Sequence, residues 1–188
     1  MQRMNKQELR ARMKAYRLSL DSAERKILDR AIADRLIELV SPYDTVLCYV
    51  SSEIEVDTRY VLSELFKDSS KKILAPKCVK GTNIMHFYPI TGFDDLEEGS
   101  FSIYEPKDGI SMQTDFSDNS CCIVPALCYD SKGYRVGFGK GFYDRFLAEF
   151  SGKKIGICYS GCIVDKIEHD DTDIKADIII TDKGVSYT

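Results

Sequence analysis

Tryptophan is absent from the 188 residues, histidine occurs only twice and proline five times. Two histidines, His86 and His169, are too few for an imidazole-rich metal centre, and no CxxC spacing exists to seed a zinc site. The seven cysteines stand scattered at 48, 78, 128, 158 and 162, with 121 and 122 adjacent. Their odd number and irregular spacing argue against a complete disulfide framework, so they are expected as reduced thiols in or near a core. No stretch approaches the roughly twenty apolar residues that a transmembrane helix needs. No uninterrupted apolar segment opens the chain as a secretory signal would, and a cytoplasmic address is expected. There is no surplus of positive charge either: 26 basic against 30 acidic side chains leave −4, a poor balance for coating nucleic acid.

What is present is a folded composition, 44% hydrophobic and 30% charged, at a length suited to one domain with a continuous core. Leu9, Met13, Tyr16 and Leu20 recur at helical spacing. Asp21 and Glu24 have the spacing of a capping box opening a second helix through about Leu39, with Ile27, Leu28, Ala31, Ile32, Leu36 and Leu39 as its apolar face. Short β-branched runs follow at 46–50, 72–76, 84–90, 122–127, 154–160 and 177–181, and they read as strands. Between them, Asp57 or Thr58 is placed to cap a helix to about Phe66, and 142–150 reads as another helix. Alternation of short apolar strands with helices predicts an α/β fold, a single layered domain over residues 1–188 with a mostly parallel sheet. Residues 91–120 are weakly patterned and read either as a surface excursion or as a substrate-facing loop.

The densest chemistry lies in GYRVGFGKGFYDR, residues 133–145. Gly137, Gly139 and Gly141 alternate with Phe138, Lys140 and Phe142, which strips side chains from a backbone that must turn sharply or approach a ligand closely. Between a strand and a helix, such a segment aims amides at an anion while the helix N-terminus adds its dipole. It matches neither GxGxxG, because Phe142 stands at the third glycine, nor GxxxxGK[ST]. What remains is a basic glycine nest for polyphosphate, with Arg135 and Lys140 to offset charge. Magnesium takes hard oxygen ligands, commonly one or two carboxylates together with phosphates. Asp144 is the leading metal ligand; Asp130 either approaches the same ion or caps the DSKG turn. Tyr143 either packs its ring or presents its hydroxyl. Lys6 and Arg10, four apart, share a helix face that reads as solvated in isolation. In EIEVDT, residues 53–58, local sequence does not separate capping roles from Glu55 facing a bound heterocycle.

Taken together, K6-Q-E-L-R10, SSEIEVDT at 51–58, LAPK at 74–77, MHFYPI at 85–90, IYEP at 103–106 and D130-SKGYRVGFGKGFYDR-145 resemble the 5-formyltetrahydrofolate cyclo-ligase family over nearly the whole chain. The late KIG and KADIIIT segments fall in suitable order. The resemblance implies a three-layer α/β domain related to sugar-isomerase and coenzyme A-transferase folds. It implies an enzyme, expected as a monomer, that uses ATP and Mg2+ to convert 5-formyltetrahydrofolate into 5,10-methenyltetrahydrofolate. By that resemblance Lys6 and Arg10 contact phosphate, Gly137, Gly139 and Gly141 form the backbone cradle, and Arg135 and Lys140 surround the triphosphate. Asp144, with Asp130, is implied at the metal. Glu55 is similar to a folate-site carboxylate, and Met85, Tyr104 and Tyr143 line the pterin pocket. Catalytic roles fall to Arg135, Lys140 and Tyr143. Two positions depart from the pattern: Phe142 where relatives often have Tyr, and Phe138 where some have Arg. A sugar-phosphate isomerase or transferase, and a nucleotide-binding regulatory protein, are the competing readings. Neither accounts as well for the joint EIE, MHFYPI and glycine-lysine pattern.

Overall fold

A computed structural model describes residues 4–99 and 103–188. Ser100, the last residue of the turn-rich DDLEEGS, lies outside the described residues.

The chain opens with helix α1, Lys6–Ser19, and helix α2, Ser22–Val40. Reciprocal capping occurs at α1, where the Asn5 side chain accepts from Gln7 and Glu8 amides while Glu8 returns a bond to the Asn5 amide. At α2 only half of the expected box forms: Asp21 accepts from Ala23 and Glu24. Strand β1, Thr45–Leu47, leads through an irregular loop to helix α3, Arg59–Leu65, and then to β2, Lys72–Cys78, and β3, Met85–Ile90. Thr58 precedes α3 without capping it, and Asp57 bonds the Arg59 amide instead. Within the weakly patterned stretch 91–120, the described residues include β4, Leu96–Glu98, and β5, Tyr104–Pro106, which pair as an antiparallel ribbon.

Next come β6, Ser120–Pro125, the short strands β7, Cys128–Asp130, and β8, Arg135–Val136, and then helix α4, Phe142–Glu149. Strands β9, Lys153–Ile157, β10, Ile163–Val164, β11, Ile178–Thr181, and β12, Gly184–Tyr187, complete the chain. Among the described residues, seven strands form one sheet in the order β12-β11-β9-β6-β1-β2-β3. Its four inner pairings are parallel, and both outer ones, β2 with β3 and β11 with β12, are antiparallel.

Successive residues of a strand face opposite ways, and here both ways are buried. On β6, Cys121 and Ile123 join the core under α1, α2 and α3, together with Leu36, Val40 and Leu62. Cys122 and Val124 face the other side, where Leu147 of α4 and Phe150 pack with Leu47 and Phe87. Helices therefore cover both faces. Each fully buried leucine contributes about 2 kcal/mol through removal of apolar area from water. The cysteines belong to this packing: all seven are free, six are buried, and only Cys78 reaches the surface. No described helix is long and apolar enough to cross a membrane.

The topology locates a crevice. From β1 the chain builds outward through β2 and β3, whereas from β6 it builds the opposite way through β9 and β11. Neighbouring parallel strands whose connections depart in opposite directions leave an opening at their carboxyl ends, which is where α/β sheets hold ligands. The segments bounding that opening are 48–58 after β1 and 126–141 after β6.

Candidate functional site

The β7–β8 hairpin carries the glycine segment. Asp130, fully buried, anchors this hairpin: one oxygen accepts from the Lys132 and Tyr134 amides at 3.0 Å each, the other from Ile167 at 3.0 Å. Both oxygens serve backbone, so Asp130 occupies the turn-capping alternative and not the metal role expected beside it. Gly133 closes the turn at φ 89°, where a side chain would collide with the Ala176 carbonyl.

After β8 the chain enters the nest. Gly139 and Gly141 have φ of 96° and 69°, so both adopt a backbone that other residues rarely tolerate. Gly141 is also the N-cap of α4, and no side chain caps that helix. The first-turn amides and the positive end of the helix dipole are left for an anion. Gly137 lies in the same segment, and its carbonyl accepts from Arg10 Nε at 3.0 Å. The Arg10 guanidinium also passes about 3.4 Å from the Cβ position of Gly139. A basic residue 127 positions away in sequence thus reaches the nest from α1.

Lys140 is exposed at the tip of the loop. Lys6 projects from α1 but forms a bidentate pair with Asp173, Nζ to oxygen 2.6 and 2.7 Å, so its charge is already partnered. Arg135 departs from expectation. Its guanidinium is buried and bonded to Asp144 Oδ1 at 2.6 Å and to the Ile174 carbonyl. On this buried strand its charge is paired with Asp144. Asp144 also accepts from the Ile174 amide at 3.3 Å on the same oxygen, while Oδ2 takes no hydrogen bond among the described residues.

The other bank is the 51–58 loop. Glu55 is 8% exposed, and its Oε2 accepts from the Ser52 amide at 2.8 Å and the Ser52 hydroxyl at 2.7 Å. Oε1 has no partner among the described residues. Tyr143, in the first turn of α4, buries its hydroxyl with no hydrogen-bond partner. Burial first, then the nearby Cys122 and Glu55, push that phenol well above its ordinary pKa. It therefore stays protonated, a donor without an acceptor. Buried polar groups are nearly always satisfied, so an orphan of this kind points to a missing partner.

Met85, at the β3 end of the β2–β3 hairpin, is buried in the cluster against which Tyr143 packs. It also lines a groove with Phe87, Phe116, Arg145 and Phe146. Tyr104 is placed elsewhere: it is 40% exposed, with the Arg59 guanidinium 5.1 Å from its ring centre. The fold therefore brings Met85 and Tyr143 to one apolar cluster, with Glu55 near enough to act on the Tyr143 hydroxyl, and gathers Arg10, Gly137, Gly139, Lys140, Gly141 and Asp144 around the start of α4. Tyr104 and Asp130 stand outside both.

Sequence reasoning missed Arg17. It is 2% exposed on α1 and donates to the carbonyls of Ile54, Ala126 and Leu127. Nothing in an N-terminal helix rich in arginine and lysine marks one of them as buried.

The model of the 5-formyltetrahydrofolate cyclo-ligase family matches residues 2–182. The chain belongs to this family. A 5-formyltetrahydrofolate cyclo-ligase of Mycoplasma pneumoniae is 30% identical over 185 residues, covering 96% of this chain and 100% of the relative. The solved 5,10-methenyltetrahydrofolate synthetase of Aquifex aeolicus superposes with a TM-score of 0.81 at 32% identity, over 98% of this chain and 93% of that one. The corresponding Mycoplasma pneumoniae structure gives 0.75 at 27% identity, over 95% and 99%. Both likenesses run through the banks of the crevice as well as the sheet, since almost the entire chain is covered.

Proposed function

We propose that this chain is an enzyme catalysing the ATP-dependent cyclisation of 5-formyltetrahydrofolate to 5,10-methenyltetrahydrofolate, with release of ADP and phosphate. The observation that carries the reading is the pairing, across one switch point, of an uncapped glycine nest with an orphan phenol and a buried carboxylate. A nest alone would suit any phosphate. The buried Glu55 and the buried Tyr143 hydroxyl add an acceptor and a donor suited to a flat heterocycle with exchangeable protons, and Met85 supplies apolar contact in the cluster against which Tyr143 packs.

The chemical task is to make a formamide oxygen leave. The N5-formyl oxygen attacks the γ-phosphorus, a P–O bond forms, and the bond to the β-phosphate oxygen breaks to release ADP. The N10 nitrogen then adds to the activated formyl carbon. Expulsion of phosphate, with loss of the N10 proton, leaves the methenyl bridge. The protein contributes mainly position and charge, as is general in phosphoryl transfer. Lys140 and Arg10, with the α4 amides, hold the triphosphate and stabilise charge on the transferring group. Glu55 Oε1 accepts from the pterin and Tyr143 donates to it, fixing the formyl group toward the nest. Arg135 acts through Asp144, keeping that carboxylate turned toward the phosphates.

The donor set fits magnesium. No group of three or more His, Cys, Asp or Glu side chains gathers among the described residues. A Mg2+ ion brought in on nucleotide phosphates needs only one or two protein carboxylates, and Asp144 Oδ2 is free to serve. Bound there, the ion would neutralise charge on the β- and γ-phosphates. The architecture is read as related to sugar-isomerase and coenzyme A-transferase folds. The molecule is read as a cytoplasmic monomer acting on ATP and a folate, without nucleic acid or membrane partners.

Purified protein with Mg-ATP and 5-formyltetrahydrofolate should generate the methenyl chromophore, with one ADP released per turnover. Binding of ATP without turnover of the folate would defeat the catalytic reading and favour a regulatory nucleotide-binding protein.

A further inference from the structure

The loop that carries Glu55 has no secondary structure, yet three consecutive carbonyls in it are each held by a side chain from a different element. Ile54 O accepts from Arg17 at 3.0 Å, Glu55 O from Arg25 at 2.7 Å, and Val56 O from the Tyr49 hydroxyl at 3.2 Å. These donors come from α1, from α2 and from the residues just after β1. Arg17 does more than its companions. Its second terminal nitrogen bonds Ala126 O, at 2.5 Å, and Leu127 O, at 3.0 Å, in the connection that leaves β6 toward the glycine hairpin. One buried guanidinium therefore spans the switch point and holds both banks.

We propose that Arg17 is a positioning residue that fixes the spacing between the folate bank and the phosphate bank, while Arg25 positions the folate bank alone. The inference rests on the cyclo-ligase reading above. Its physical basis is that a reacting oxygen and a γ-phosphorus held on separate loops meet only if those loops keep one distance. A guanidinium with donors on two edges is the side chain suited to tie carbonyls on both. A buried salt bridge would not serve in the same way, because Arg17 has carbonyl acceptors and no carboxylate partner among the described residues. Displacement of a reacting group by an ångström can cost up to about 100-fold in rate, so a small change in this spacing is visible in kinetics.

The test compares Arg17→Lys, Arg17→Met and Arg25→Met in the full-length chain, each checked for native circular dichroism and cooperative melting. For each, KM is measured for both substrates, with kcat, and the affinity for a non-hydrolysable ATP analogue with and without the folate. Arg25→Met should raise the folate KM about tenfold and leave the ATP KM unchanged, as for loss of an interaction on one substrate only. Arg17→Met should lower kcat and reduce the enhancement of analogue affinity by folate, and Arg17→Lys should restore part of each. If Arg17→Met does not fold, Arg17→Lys and Arg25→Met decide the matter by the same readouts. Folded Arg17 variants whose folate-dependent analogue affinity and kcat equal those of the parent would overturn the inference, as would an Arg25→Met enzyme with parental folate KM. Inactivity of the parent protein itself would instead overturn the cyclo-ligase reading, so the two failures are distinguishable.

Discussion

The two banks of the crevice are built on opposite plans. The 51–58 loop contains no glycine; it is pinned by side chains at three successive carbonyls, and its Glu55 is 8% exposed. The 137–141 segment is more than half glycine, uses two positive-φ residues, carries an exposed lysine and ends at an uncapped helix. Recognition of a specific heterocycle needs donors and acceptors that do not move, which is what external pinning achieves. Phosphate needs many amides at close range and a mobile cation, which a glycine turn supplies. On the proposed reading, the site divides its labour between a rigid selective half and an accommodating electrostatic half.

The largest effect is expected on the electrostatic half. Lys140→Ala removes an exposed cation that makes no hydrogen bond among the described residues, so stability should be unchanged while kcat/KM for Mg-ATP falls about 100-fold, the scale for one transition-state charge contact. Steady-state kinetics and a thermal melt check both parts. Retained turnover would place the phosphates elsewhere. Next is Asp144→Asn, which keeps the shape but weakens both the Arg135 pair and the proposed metal contact. The magnesium concentration for half-maximal activity should rise about tenfold, in line with losses seen around metal sites. An unchanged magnesium titration would make Asp144 a structural partner of Arg135 only.

The rigid half gives a signed test. Tyr143→Phe deletes a buried hydroxyl that has no partner in the free protein. Removing an unsatisfied buried donor should raise stability by about 1 kcal/mol in urea, while the lost bond to the pterin should cost about tenfold in folate KM. A stability loss would mean that the hydroxyl is already bonded in the free protein, and an unchanged KM would mean that it never meets the pterin.

The contrast between the banks also explains what was legible in the sequence. The strands were readable because β6 and its neighbours are buried on both faces, and such strands appear as unbroken apolar runs. Glycine spacing announced the nest because positive φ demands glycine at 139 and 141. The full capping box at Asn5 and Glu8 has the same residue spacing as Asp21 and Glu24, of which only the aspartate caps. The pinned bank was mostly illegible. Its geometry depends on Arg17 and Arg25 donating to backbone carbonyls, and carbonyls leave no trace in residue identity. Arg135 is hard to read for the related reason that a basic residue beside a nest looks like a ligand contact, whereas here it is buried and paired with an acid. Asp130 reads two ways in the sequence because a carboxylate that caps a turn and one that holds a metal have the same letter.

The smallest predicted effect concerns what holds the rigid bank from behind. Asp29 Oδ1 accepts from the Asp57 amide at 3.1 Å and from the Tyr159 hydroxyl at 2.7 Å, so this carboxylate ties the loop to α2 and to the end of β9. Burial nonetheless raises its pKa, with those hydrogen bonds and Arg25 only partly opposing the shift. A native pKa above the unfolded one means that the folded state binds the proton more tightly. The contribution of Asp29 to stability is then fully present below the ordinary aspartate range near pH 4, and it is lost as pH rises through the raised native value. Asp29→Asn keeps an acceptor oxygen but cannot ionise. The variant should therefore gain on the parent as pH rises above about 4, by less than about 1 kcal/mol after solvent screening, and then run parallel to it. Urea unfolding of both proteins across that range measures the difference directly. A gap that shrank with rising pH would show the ionised carboxylate to be the favoured native form, and the pinned bank would then depend on charge as the glycine bank does.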